Sequence, residues 1–194
     1  ESNLFNHQID ASLQMLGKAQ ILNASMAAIA VKKILPNLDE DVIRRGLEKA
    51  KLPGRFEIVE KIKKYDDIPA VILDGAHTLN SISLTIDTLN KLYGAKKVNL
   101  LFACAADKDV KDISMLCKYR FEHVYVTRPG DKKESNLDSE KEAFNAAGID
   151  FTADADYKTM IKKAFDDSAE NGNLLLVTGS FYLVSEVKQF IDSI

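Results

Sequence analysis

The sequence predicts an α/β fold: a mostly parallel sheet covered by helices on both faces, preceded by a helical pair that fills residues 1–52. Three observations carry this. From residue 56 onwards, short apolar runs alternate with helical patterns of ~10–17 residues, the signature of βαβ units. Runs such as Leu174-Leu175-Leu176-Val177 are apolar without alternation, as strands buried on both faces are. Finally, Ala70-Val71-Ile72-Leu73 stops abruptly at Asp74-Gly75-Ala76-His77. A buried strand there delivers titratable side chains to the carboxyl edge of the sheet, where open α/β sheets bind ligands.

In chain order, Leu16, Ile21, Leu22, Met26, Ile29, Ala30, Ile34 and Leu35 take helical spacing from about Ala19 onwards. Pro36-Asn37-Leu38-Asp39 ends that helix, and Asp39 is placed to cap a second one carrying Val42, Ile43 and Leu47. Two helices and a short lead-in cannot close a core of their own, so they pack on the α/β domain or belong to something larger. Leu52-Pro53-Gly54-Arg55 is a breaker and a domain junction, dividing the chain into 1–52 and 53–194. Strands are expected at 56–60, 71–73, 98–103, 123–127 and 174–178, with a short one near 149–151. Helices are expected at 77–93, 110–118, 139–147, 157–170 and 181–191, and 128–139 is the most polar loop.

The 194 residues carry 26 basic and 29 acidic side chains, a net charge of -3 that gives no support for a nucleic-acid or acidic-membrane partner. No apolar run approaches the roughly 20 residues that span a bilayer. The opening residues E-S-N-L-F-N-H lack the basic and apolar regions of a secretion signal. Cys104 and Cys117 are too few for a disulfide framework or a zinc site, and both are expected to be buried, reduced thiols. A reducing cytosol, hence a cytoplasmic location, is the natural expectation.

Four places can carry chemistry. Asp74 either caps the following helix, with His77 in its first turn, or accepts hydrogen bonds from a hydroxyl pair such as a ribose, with His77 offering a donor near an anion. Arg55 is either a surface charge or a rigid cationic fork for phosphate or a base. Ala106-Asp107-Lys108-Asp109 is a solvated turn with Asp109 opening a helix, or an ionic pocket in which Lys108 meets a carboxylate or phosphate. Thr178-Gly179-Ser180-Phe181 is a strand-to-helix turn in which Ser180 caps, or joins free N–H groups in an anion cradle. No G-x-x-x-x-G-K-[ST] or G-x-G-x-x-G sequence occurs. A bound nucleotide would need its phosphates and magnesium held elsewhere.

Taken together, Pro53-Gly54-Arg55-Phe56-Glu57, Asp74-Gly75-Ala76-His77, Asp107-Lys108-Asp109 and Thr178-Gly179-Ser180-Phe181 resemble, in order and spacing, the folylpolyglutamate synthase/dihydrofolate synthase family, relatives of the Mur ligases. Upstream, Leu16-Gly17-Lys18-Ala19-Gln20-Ile21-Leu22-Asn23-Ala24 looks like the segment that closes the family's central ATPase domain. The resemblance implies a fragment: residues 1–52 as the helical remnant of that ATPase domain, and 53–194 as a Rossmann-like, Mur ligase-type C-terminal domain. It implies an ATP-dependent ligase that adds L-glutamate to a folate through an acyl phosphate, with Mg2+ ligands in the missing N-terminal domain. Asn23 is then expected at the adenine end, Arg55 at the phosphates or base, Asp74 at the ribose and His77 near the reaction centre. Lys108 and Ser180 are candidates for holding glutamate. The family continues D-G-A-H-N-P, whereas this chain reads His77-Thr78-Leu79-Asn80, leaving Thr78 or Asn80 to stand in for the asparagine. The alternative is a stand-alone, non-catalytic module that binds a nucleotide or a protein partner.

Overall fold

The computed structural model describes residues 4–94 and 96–194. It divides into two compact units, Glu1–Pro53 and Gly54–Ile194.

The first unit holds α1 (Lys18–Ile34) and α2 (Glu40–Lys49). Asp39 caps α2, its side chain accepting from the Asp41 backbone N–H at 2.7 Å. The helices are tied by a buried ion pair: Lys32 Nζ lies 3.0 Å from Glu40 Oε1 and donates to the Leu38 carbonyl at 2.7 Å. Glu40 also accepts from the backbone N–H of Asn6 at 3.1 Å. The Asn6 N–H, then the Lys32 ammonium, hold the Glu40 carboxyl down at about 2. Much of the apolar stripe on α1 has no cover: Ile21, Leu22, Met26 and Ile34 are 60%, 67%, 62% and 77% exposed. A cavity of about 630 Å³ lies beside it, lined by Phe5, Ile9, Leu13, Ile21, Ala28 and Leu47 among others.

The second unit runs β1 (Glu57–Val59), β2 (Val71–Leu73), α3 (Leu79–Tyr93), β3 (Val98–Phe102), α4 (Val110–Cys117), β4 (Val124–Thr127), α5 (Leu137–Ala146), β5 (Phe151–Asp154), α6 (Tyr157–Asn171), β6 (Leu174–Thr178) and α7 (Phe181–Asp192). The strands form one sheet in the order β1-β2-β6-β3-β4-β5. β1 pairs antiparallel with β2, in register Ile58 to Ile72, and every other pairing is parallel. The last strand in sequence therefore lies between the second and third.

Every residue of β2, β3, β4 and β6 is buried, as their mostly apolar runs require, and the buried Asn99 of β3 is paired with Ser168 at 3.0 Å and Asn173 at 3.2 Å. On one face Leu73, Leu101 and Val177 pack against Met160, Ile161 and Phe165 of α6 and Leu183 and Val187 of α7. The opposite face carries α3, α4 and α5, with Phe102 edge-on to Phe144 at 5.6 Å. Cys104 and Cys117 are buried free thiols. Their thiols are pushed up by burial, Cys117 to about 12.

Two expected elements sit differently. The helix expected from residue 77 begins at Leu79, and its cap is Thr78 rather than Asp74. Thr78 Oγ1 accepts from the Ser81 N–H at 3.3 Å, while Ser81 Oγ accepts from the Thr78 N–H at 3.0 Å. The short strand near 149–151 is displaced to Phe151–Asp154. Gly148, at φ 68°, first turns the chain out of α5, and Ile149 N–H bonds back to the Phe144 carbonyl at 3.1 Å.

Candidate functional site

The carboxyl ends of β2, β6 and β3 adjoin one another, and backbone hydrogen bonds continue past the strands. Asp74 N–H donates to the Val177 carbonyl at 3.0 Å, Gly179 N–H to the Ala76 carbonyl at 2.8 Å, and Ala103 N–H to the Thr178 carbonyl at 3.4 Å. Gly75 N–H reaches back to the Gly54 carbonyl at 2.8 Å, so the Pro-Gly-Arg junction is fastened to the same edge. Ala76 receives a second donor, Thr178 Oγ1, at 3.2 Å.

Asp74 is 8% exposed. Its Oδ1 accepts from the Ala76 N–H at 3.0 Å and its Oδ2 from Thr85 Oγ1, nearly two turns into α3, at 2.9 Å. Burial pushes its carboxyl above the ordinary aspartate range, opposed by the Thr85 and Ala76 hydrogen bonds and the Arg55 charge. Each carboxylate oxygen keeps a further lone pair, so capacity remains for hydroxyl donors. His77 precedes the helix cap and is half-buried. Its Nδ1 lies 2.9 Å from the Gly75 carbonyl, which only accepts, so Nδ1 carries a proton and Nε2 is left for another partner.

The Arg55 guanidinium lies over the Phe181 ring, 4.7 Å from its centroid. That ring closes on two glycines: a Cβ on Gly75 would stand 2.4 Å from it, and one on Gly54 would stand 3.3 Å away. Gly75 and Gly54 are thus the positions where the backbone must approach an aromatic ring, and the ring in turn carries the arginine.

His77, Lys108 and Ser180 meet in a cavity of about 200 Å³ that Asp107, Lys133, Gly179, Phe181 and Tyr182 also line. Lys108 Nζ is 2.9 Å from Asp107 Oδ2, and the Lys108 ammonium holds the Asp107 carboxyl below its usual range. Ser180 is the cap of α7, its Oγ accepting from the Tyr182 N–H at 3.1 Å, which leaves its hydroxyl proton for another acceptor. The cavity thus gathers two ammonium groups, one carboxylate, a hydroxyl and a helix N-terminus, a set suited to a small anionic or zwitterionic ligand. Among the described residues, no group of three His, Cys, Asp or Glu side chains is placed to hold a metal ion.

Asn23 belongs to the first unit, on the exposed side of α1, where its amide donates to Gln20 Oε1 at 3.2 Å. Lys133, Phe181 and Thr85 are the residues that sequence reasoning did not single out for a role at this edge. Lys133 sits in the polar 128–139 stretch without a motif, and Phe181 reads only as part of a strand-to-helix turn.

Parallel strands, helices on both faces and a polar cavity at three adjoining carboxyl ends define an open-sheet α/β unit, a class in which ligands bind at that edge. The chain belongs to the family described as Mur ligase, glutamate ligase domain, whose profile matches residues 54–181. It is 22% identical, over 93% of its length, to the dihydrofolate synthase/folylpolyglutamate synthase of Bacillus subtilis, of which it covers 41%. It is 27% identical, again over 93% of its length, to the probable bifunctional folylpolyglutamate synthase/dihydropteroate synthase of Halobacterium salinarum, covering 21% of that protein. Among solved structures, the folylpolyglutamate synthase of Thermotoga maritima superposes with a TM-score of 0.71 at 30% identity, over 95% of this chain and 41% of that one. The Mycobacterium tuberculosis folylpolyglutamate synthase complexed with ADP gives 0.78 at 25% identity, over 94% of this chain and 42% of that one. The chain spans less than half the length of these relatives. Among the described residues, no helix is long and apolar enough to cross a membrane.

Proposed function

We propose that this chain is the C-terminal part of an ATP-dependent ligase of the folylpolyglutamate synthase or dihydrofolate synthase type, which joins L-glutamate to a folate carboxylate. Residues 1–52 are the tail of its central ATPase domain and 53–194 its glutamate ligase domain. The observation that carries the reading is the meeting of His77, Lys108 and Ser180 in one cavity at the carboxyl edge. The uncovered apolar stripe of α1 supports a domain continued upstream, since isolated domains seldom leave several large aliphatic side chains in a row exposed. The ADP complex of the Mycobacterium tuberculosis enzyme supports nucleotide use.

In this reading the folate carboxylate attacks the γ-phosphorus of ATP, giving an acyl phosphate and ADP. The glutamate amine then attacks the acyl carbon and phosphate leaves. Asn23 contacts the adenine end, and Asp74 accepts from the ribose hydroxyls with the lone pairs left by Ala76 and Thr85. Arg55, braced on Phe181, brings permanent positive charge to the nucleotide. His77 presents Nε2 beside the phosphates, with its ring oriented by the Gly75 carbonyl. Lys108 and Ser180 hold the carboxylates of glutamate. Their work is positioning and charge neutralisation, and closure over the acyl phosphate excludes the water that would hydrolyse it. In this reading the Mg2+ ligands and the phosphate loop are supplied by the N-terminal part of the full-length enzyme, which works in the cytoplasm.

The test is glutamate- and folate-dependent ADP release by the protein expressed with and without its upstream coding region. Activity confined to the long form is expected. Equal activity in the short form would refute the fragment assignment, and a long form that uses no folate would refute the substrate. A long form that binds ATP yet releases no ADP would leave the non-catalytic module as the reading.

A further inference from the structure

Beneath the cavity lies an acid that the proposed chemistry does not use. Glu140, in the first turn of α5, is 1% exposed. Its Oε1 accepts from the Cys104 backbone N–H at 3.4 Å and lies 3.6 Å from the Cys104 thiol, just past the end of β3. Its Oε2 is buried with no hydrogen-bond partner among the described residues, as is Ser135 Oγ nearby in sequence. Two residues beyond Cys104, the Ala106 N–H donates to the Glu134 carbonyl at 3.3 Å, joining the loop that carries Lys108 to the loop that carries Lys133. The second loop runs directly into Glu140: the Asn136 carbonyl accepts from the Glu140 N–H at 3.1 Å, and Asn136 Oδ1 caps Ser139 at 3.1 Å. Ser114 of α4 braces the same helix, donating to the Ala143 carbonyl at 3.0 Å.

We propose that Glu140 is a positioning residue: its buried carboxyl clamps the end of β3 to the first turn of α5 and so sets where the Lys108 and Lys133 loops meet over the cavity. The clamp is a property of this chain, while its effect on glutamate binding rests on the function proposed above. An ionised carboxyl needs donors or water on both oxygens, and here one oxygen has a single long N–H and a weak thiol donor while the other has none. Burial accordingly pushes the carboxyl up to about 8, and the Cys104 thiol rises too, through its own burial and then through Glu140. The other ionisable groups on the surrounding elements are Asp107, Lys108 and Asp109 after β3, Lys111, Asp112 and Cys117 on α4, Lys132, Lys133 and Glu134 in the loop before α5, and Asp138, Lys141 and Glu142 on α5, and among the described residues none forms an ion pair with Glu140. Lys108 pairs with Asp107 and Lys141 with Asp138, so neither cation neutralises Glu140. The neutral acid holds the clamp, and its ionisation forces the loops apart to admit water.

The experiment is hydrogen exchange of the backbone amides at 104–108 in this chain between pH 5 and 9, corrected for intrinsic rates, for wild type, E140Q and E140L. A carboxyl buried neutral but released on opening makes opening easier as pH rises from the ordinary glutamate value of 4.5 to about 8. Wild-type protection should therefore fall by about tenfold per pH unit across that window and level off above it. E140Q, which keeps the acceptor for Cys104 and cannot ionise, should show no such fall. E140L, which removes the acceptor, should be less protected than E140Q at every pH. A pH-independent wild-type profile, a slope shared by E140Q, or equal protection in E140L and E140Q each overturns the clamp. In the full-length protein, the KM for glutamate should rise with pH up to about 8 in wild type and stay level in E140Q. Should the exchange profile appear while no glutamate-dependent ADP release occurs at any pH, the clamp stands and the proposed function falls; an active ligase with a flat profile gives the reverse.

Discussion

Gly75 and Gly179 flank the same backbone hydrogen-bonding edge, yet alanine should be tolerated at only one of them. At Gly75 a Cβ would sit 2.4–2.5 Å from three atoms of the Phe181 ring, well inside the 3.4 Å at which ordinary contact begins, so the ring must retreat by about 1 Å. The ring is half-buried at the start of α7 and can swing outward, and the Gly75 backbone is not in the left-handed region. Overpacking of a side chain that can move costs toward the low end of about 1–3 kcal/mol, and the weakened contact with Arg55 adds about 0.5–1 kcal/mol, for a total of about 2. At Gly179 a Cβ would lie 2.3 Å from the Ala103 carbonyl oxygen and 2.7 Å from Phe102, and the residue sits at φ +100°. Neither neighbour can yield: Ala103 is hydrogen-bonded to Thr178, and Phe102 is fully buried against Phe144. Overpacking and backbone strain together then cost about 4–5 kcal/mol, a large share of the ~5–15 kcal/mol that stabilises a domain. Urea unfolding followed by far-ultraviolet circular dichroism suits a chain without tryptophan. With an m-value near 2 kcal/mol/M, G75A should lose roughly 1 M in midpoint with an unchanged slope, whereas G179A should lose roughly 2–2.5 M. Equal losses in the two variants, or a G75A midpoint at the wild-type value, would show that the yielding ring and the unyielding backbone are not what separates them.

T85V removes the hydroxyl that donates to Asp74 Oδ2 and should cost about 1–3 kcal/mol. Because burial already raises that carboxyl, losing a donor raises it further, and an acid raised in the folded state loses stability as pH climbs through the carboxylate range. The T85V deficit in thermal melts should therefore be larger at pH 7.5 than at pH 4, and a pH-independent deficit would refute this. Glu40 has the opposite sign: held down at about 2 by Asn6 and Lys32, it contributes stability present above 4.5 and lost as pH falls toward 2. Helical signal from the first unit should decay over that window in wild type and less steeply in E40Q. Cys104 and Cys117, buried and raised, should resist an aromatic disulfide reagent at pH 8 in the folded chain and both react in denaturant.

The strands were the legible part of this fold, because a strand buried on both faces must be apolar wherever a polar side chain has no buried partner, as Asn99 of β3 has in Ser168 and Asn173. What the sequence concealed at 74–78 is competition for backbone groups. The Asp-Gly-Ala-His stretch looks like a helix start, but Asp74 N–H, Gly75 N–H and the Ala76 carbonyl are spent on Val177, Gly54 and Gly179. The helix begins only when Thr78 and Ser81 supply a capping box, at the very residue where the chain departs from the pattern of the family it resembles. Thr78 therefore serves as the cap of α3. Glu140 was illegible for the opposite reason: a glutamate amid Asp138, Lys141 and Glu142 reads as part of a solvated helix face, and only the docking of α5 under the end of β3 buries it.

The convergence of the site residues is itself a consequence of strand order. Asp74 and Ser180 are separated by more than half the chain, and neither gains a distant neighbour from local pattern. Placing β6 between β2 and β3 sets Val71 opposite Leu175 and Leu100 opposite Leu176, which brings the ends at Asp74, Phe102 and Thr178 to one level. The parallel sense then makes all three ends point the same way, so three independent turns, each harmless alone, open into one cavity. Sheet register is fixed by burial on both faces, since a slip of one residue would exchange the packing of Leu101 against α6 and α7 with that of Phe102 against α5. The core that fixes the register therefore also fixes the distance between Lys108 and Ser180. It follows that substitutions in the buried middle of β6 should disturb ligand binding without touching the ligand, whereas those in β5, at the far edge of the sheet, should not.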